Sequence, residues 1–113
     1  MEHTQIPGTD IEVSRLALGT WAIGGWMWGG TDEKQSIDTI HAALDKGVTI
    51  VDTAPVYGFG RSEEIVGRAL KQYGRRDNIA ISTKVALEWR DGNVFRNSTP
   101  DRIAKEVEDS LRR

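Results

Sequence analysis

Three times in succession this sequence runs from a short apolar segment through a loop into an amphipathic stretch, and that rhythm limits the folds open to it more than any other feature. The first turn of the pattern is LALGT, Leu16 to Thr20, then a Gly-rich loop, then Asp32 to Lys46 with Ile37, Ile40, Ala43 and Leu44 at helical spacing before Gly47. The second is VTIVD, Val48 to Asp52, followed by Arg61 to Tyr73, which puts Ile65, Val66, Ala69, Leu70 and Tyr73 on one stripe and ends at Gly74. In the third, IAIST, Ile79 to Thr83, leads through a polar loop containing Trp89 to STPD, Ser98 to Asp101. There a capping hydroxyl and a first-turn proline open a helix carrying Ile103, Val107 and Leu111. Ahead of all three, Pro7, Gly8 and Asp10 separate two short runs that read as a β-hairpin.

A strand that returns parallel to its neighbour needs a crossover, and a helical crossover is right-handed, so the expected fold class is α/β with a parallel sheet. A doubly wound open sheet and a closed (β/α)8 barrel both satisfy the pattern. Both place function beyond the carboxyl ends of the strands.

Composition narrows the function classes. The 113 residues carry 15 Lys and Arg against 17 Asp and Glu, and no basic run exceeds a pair, so there is no electrostatic footprint for nucleic acid. With no Cys, disulfides and thiolate metal sites are excluded, and no metal site is expected. The start, MEHTQIPG, lacks the basic and apolar regions of a signal peptide. Leu16 to Thr31, the longest uncharged run, is shorter than a membrane span of about 20 residues and rich in Gly. One domain over residues 1–113, in the cytoplasm and off the membrane, is the expectation.

The segment VDTAPVYGFGRSEE, Val51 to Glu64, drives an apolar strand straight into an acid. Asp52 ends the second strand, Lys84 follows the third, and Tyr57 lies in the loop above the second. Adjacent parallel strands lie roughly 5 Å apart, so the acid and the lysine can pair with the phenol in reach. A free phenol, with a pKa of about 10, is a poor acid at neutral pH, and a nearby ammonium lowers that value. Lys84 would act so on Tyr57, Asp52 would be the ammonium's counter-ion, and the phenol could then protonate a carbonyl oxygen. Spacing alone leaves plainer roles open: a helix cap for Asp52, a surface ion pair for Lys84, a loop aromatic in Tyr57.

Other motifs carry less. His3 falls in the hairpin and His41 in mid-helix, which suits boundary residues better than catalysts. Gly58 and Gly60 form a G-x-G, but Glu63 occupies the third glycine position of a dinucleotide fingerprint, and WAIGGWMWGG lacks the end of a P-loop. Trp26, Met27, Trp28 and Trp89 could line an apolar substrate pocket or simply cover the strand ends. Glu63 and Glu64 most simply complement the dipole of the helix they begin.

The runs LALGTWAIGG, VDTAPVYGFGRSEEIVGRAL and STK resemble the aldo-keto reductase superfamily, and WAIGGWMWGGTDE is similar to its bacterial general-stress branch. The resemblance covers essentially the whole chain. It implies an N-terminal hairpin and the first three βα units of a (β/α)8 TIM barrel, with NADPH-dependent reduction of a small aldehyde or ketone. Tyr57 then matches the proton donor, Lys84 the residue that lowers its pKa, Asp52 the lysine's partner, and Thr20, Trp21 and Asp52 positions near the nicotinamide and its ribose. One family residue, a catalytic His after the fourth strand, has no counterpart here. A barrel takes about 250 residues, so the expectation is an incomplete barrel, inactive alone and dependent on self-association or on the remainder of the barrel. A regulatory subunit of the potassium-channel β type and an inactive folding module are the alternatives.

Overall fold

The computed structural model describes residues 1–113. Strands β1 (His3–Gln5) and β2 (Glu12–Ser14) pair antiparallel as the opening hairpin, with His3 opposite Ser14. Strand β3 (Leu18–Gly19) leads into a single 3-10 turn, Ala22–Gly24, and then helix α1 (Glu33–Asp45). Strand β4 (Ile50–Asp52) precedes α2 (Arg61–Tyr73), and β5 (Ala80–Ser82) is followed at a distance by α3 (Pro100–Arg112). The three inner strands form a parallel sheet in the order β3-β4-β5, aligning Gly19 with Asp52 and Asp52 with Ser82. The parallel α/β arrangement expected from the rhythm is therefore present.

Helices α1 and α2 sit where their patterns predict because each carries its own stop and start. The Asp32 carboxylate accepts from Gln35 N–H at 2.8 Å, capping α1. Gly74 takes a φ of 75° at the end of α2, a conformation glycine adopts without strain. Their apolar stripes meet over the sheet. Ile37, Ile40 and Leu44 of α1, Ile65, Val66, Ala69 and Leu70 of α2, Val51 and Ile79 form one buried cluster, with Leu18, Ile23 and Tyr73 at its margin.

Three details depart from expectation. The strands are shorter than the apolar runs that announce them: Leu16 lies outside β3 and is 65% exposed. The loop holding Trp89 is itself a hairpin, β6 (Leu87–Arg90) with β7 (Asn93–Arg96), pairing Trp89 with Val94. Its turn, Asp91-Gly92 with φ of 50° and 78°, is the Asp-Gly signal that two-residue hairpins favour. Helix α3 begins after Thr99 with Pro100 in its first turn, but the expected capping hydroxyl does not cap it: Thr99 Oγ1 donates to Asn97 Oδ1 instead.

Helix α3 docks by its polar side. Glu106, 2% exposed, accepts from Ala86 N–H at 2.7 Å and pairs with Arg102, while Ser110 and Arg113 reach across to Glu63. The stripe next to it faces outward, with Val107 47% and Leu111 83% exposed. Strand β5 is an edge strand, and Ile81 on it is exposed. No helix is long and apolar enough to cross a membrane.

Candidate active site

Parallel strands send their carboxyl ends to one side, and the residues singled out from the sequence gather there. The Lys84 ammonium donates to both oxygens of Asp52, at 3.0 and 2.9 Å, and to the Thr53 carbonyl at 2.9 Å. It lies 5.0 Å from the centre of the Tyr57 ring. Partial burial pulls the Lys84 pKa down, but the hydrogen bonds to Asp52 and the proximity of Tyr57 outweigh it, and the net shift is upward. The amine thus stays an ammonium through neutral pH. A raised lysine pKa contributes stability below its ordinary value that is lost only as the pH climbs through the shifted one. With the Lys84 side chain 46% exposed, solvent screening keeps that contribution small, so the pair matters more for the charge it places under the phenol.

The Tyr57 loop is held by its own backbone and by its neighbour. Tyr57 N–H donates to Ala54 O at 3.1 Å, Gly60 N–H to Pro55 O at 2.7 Å, and Ser62 N–H to Tyr57 O at 3.1 Å. Gly58 has a φ of 64° and packs against Gly24 of the 3-10 turn so closely that a Cβ on it would stand 2.1 Å from Gly24 O. Contact of that kind seats the Trp21 turn against the Tyr57 loop. Gly58→Ala is expected to destabilise the protein by more than the roughly 1–2 kcal/mol that left-handed backbone alone costs a side-chain residue, read from its urea unfolding midpoint. An unchanged midpoint would contradict the packing.

Two aromatic groups flank the loop. Trp21 stacks on Tyr57 with centroids 5.9 Å apart, and Trp28 meets Trp21 edge-on at 5.8 Å. On the other side Phe59 lies between Trp26, at 4.9 Å, and Trp89, at 5.6 Å, and Arg102 sits over the Trp89 ring. Trp26, Trp28 and Trp89 therefore fall into two contact groups, Trp28 with Trp21 and Tyr57, and Trp26 and Trp89 with Phe59. Phe59 was not singled out from the sequence, although its place between two glycines of the same loop is where such a signal lay.

Thr20 is fully buried. Its hydroxyl donates to Asp52 O at 3.0 Å and lies 2.8 Å from Ser62 Oγ, so it supports Trp21 and Asp52 from below with its own hydrogen bonds already made. Glu64 is exposed in the first turn of α2, as a dipole-complementing acid would be. Glu63 departs from that simple role: it is 5% exposed and accepts from Thr83, Ser110 and Arg113. The histidines stand apart, His3 exposed on β1 and His41 bonded through Nε2 to Ala69 O at 2.8 Å.

Comparison with known proteins bears on what this arrangement is. Residues 15–113 match the sequence model of the Aldo/keto reductase family. The aldo-keto reductase YhdN of Bacillus subtilis is 62% identical over 113 residues, covering 100% of this chain and 34% of its own length. The NADH-specific methylglyoxal reductase of Escherichia coli is 41% identical, again over 100% of this chain and 38% of its own length. The solved glycerol dehydrogenase of Gluconobacter oxydans is 57% identical and superposes with a TM-score of 0.85 over 97% of this chain and 35% of that one. This chain spans little more than a third of the length of these relatives. A match running through the Trp21 turn, the Tyr57 loop and the strand that delivers Lys84 settles the family: the chain belongs to the aldo/keto reductases.

Proposed function

We propose that the chain serves NADPH-dependent reduction of aldehydes or ketones to alcohols, within a full-length (β/α)8 barrel to which it supplies the N-terminal hairpin and the first three βα units. The observation that carries this reading is the Lys84 ammonium, bonded to both Asp52 oxygens and 5.0 Å from the Tyr57 ring. Tyr57 donates its phenolic proton to the carbonyl oxygen while the carbonyl carbon gains a hydride, and bond formation at both atoms completes the alcohol. Lys84 offsets the charge left on the phenolate, Asp52 keeps the ammonium in place, and solvent returns the proton to Tyr57.

When bound, the nicotinamide cofactor supplies the hydride. The residues present fit it: Trp21 offers a half-exposed aromatic surface beside Tyr57, and the Asp52 carboxylate, 37% exposed, keeps acceptor capacity for ribose hydroxyls. Thr20 holds these two in position. Trp26 and Trp89 with Phe59 on one side, and Trp28 on the other, would bound the space for an apolar substituent of the carbonyl. The histidine of the family's catalytic set and the groups that grip the cofactor phosphates would come from the rest of the barrel.

Turnover assays test the proposal. The full-length protein should oxidise NADPH in the presence of aldehydes or ketones, and NADPH faster than NADH, whereas residues 1–113 alone should do neither. Tight NADPH binding with carbonyl reduction by the 113-residue chain would overturn the partial-barrel reading, and a preference for NADH would overturn the choice of cofactor.

A further inference from the structure

The three parallel strands are too short to hold their own ends in register. β3 has two residues and β4 and β5 three each, so the sheet ladder reaches Asp52 but stops short of Trp21 and Lys84. The ladder's last contact between β4 and β5 is Thr53 N–H to Ser82 O at 2.8 Å, and Lys84 lies two residues beyond it. Something other than the ladder aims these ends.

Each strand end carries a threonine next to a residue of the site: Thr20 before Trp21, Thr53 after Asp52, Thr83 before Lys84. All three hydroxyls converge on two consecutive residues at the start of α2. Ser62 Oγ, fully buried, lies 2.8 Å from Thr20 Oγ1 and 3.2 Å from Thr53 Oγ1. Thr83 Oγ1 donates to Glu63 Oε1 at 2.6 Å. An acid needed only to complement the helix dipole would remain in water, as Glu64 does. Glu63 is instead buried, and its charge is matched by Arg113, whose Nη1 donates to Oε2 at 2.6 Å.

We propose that Ser62 and Glu63 are positioning residues, gathering the ends of β3, β4 and β5 through Thr20, Thr53 and Thr83 so that Trp21, Asp52 and Lys84 meet around Tyr57. Successive side chains of an extended chain point to opposite faces. Fixing Thr53 and Thr83 toward the helices therefore turns Asp52 and Lys84 toward the site. The inference rests on the catalytic reading of Tyr57 and Lys84, and its test separates the two.

In the full-length reductase, Thr83→Val removes one hydroxyl at nearly constant shape. It should lower kcat roughly tenfold to a hundredfold, the scale of a misplacement near 1 Å, leave KM little changed, and move the pH-rate profile in the direction that Lys84→Met moves it. Thr83→Ser should restore both. Ser110→Ala cuts a different bond to the same Glu63 oxygen, from α3, and should leave the profile where it is. Ser62→Ala gives an independent reading through Thr20 and Thr53, with a loss of kcat expected. The proposal is overturned if Thr83→Val and Ser62→Ala keep wild-type kcat and profile, or if Ser110→Ala shifts the profile as far as Thr83→Val. A wild-type profile in Lys84→Met would instead sink the catalytic reading.

Discussion

Replacing Tyr57 by Phe in the full-length reductase should lower kcat for carbonyl reduction by about two to four decades, the usual span for a general acid. Nicotinamide cofactor affinity should be retained. The substitution removes a single oxygen and keeps the ring, so the stack on Trp21 and the face turned to Lys84 survive. What disappears is the proton that the carbonyl oxygen needs as its carbon receives the hydride. Steady-state kinetics with a direct measurement of cofactor binding separate these effects, and near-normal turnover would refute Tyr57 as the donor.

The second large effect belongs to Lys84→Met. A methionine approximates the stem and carries no charge, so the Tyr57 ring loses the ammonium that stood 5.0 Å from its centre. Reduction uses the protonated phenol. The pH-rate profile for reduction should accordingly shift while the rate at neutral pH falls, because the phenolate left after transfer is no longer offset. Asp52, stripped of its partner at 2.9 Å, would remain as an uncompensated carboxylate beneath the ring. An unmoved profile would show that the lysine does not tune the phenol.

The parts of this molecule that were legible in its sequence are those where local chemistry and tertiary packing agree. Helix α2 runs from Arg61 to Tyr73, the bounds its apolar stripe and Gly74 imply. The pairing of Asp52 with Lys84 followed from the parallel register of two adjacent strands, which places Asp52 beside Ser82. Leu16 misled because an apolar residue next to a strand reads as part of it, although hydrogen bonding with β4 begins only around Leu18. The second hairpin had its Asp91-Gly92 signal in plain view, but the polar residues around it suggested a loop. Glu63 was hidden for a different reason. Periodicity reports which faces are apolar, and nothing local in RSEE says that hydroxyls and a guanidinium from 20 to 50 positions away will close over one of two neighbouring acids. Phe59 was obscured in the same way, since its aromatic partners Trp26 and Trp89 come from another loop and from strand β6.

The manner in which α3 is attached bears on how the molecule opens. Its links to the remainder run through Glu63, Ala86 and Trp89 and are made by charged and hydroxyl groups, while the buried apolar cluster is built from α1, α2, β4 and Ile79 without it. Release of this helix would therefore cost no core burial, and it should form a sub-global unit that exchanges its amide protons ahead of α1 and α2. The ion pairs in this fastening, Glu63 with Arg113 and Glu106 with Arg102, are largely buried and so are little screened by salt. The two halves of the charge pair would then differ in dynamics: Asp52 belongs to the slow-exchanging part, whereas Lys84 follows a strand end whose outer support, Glu63, shares its oxygens with the departing helix.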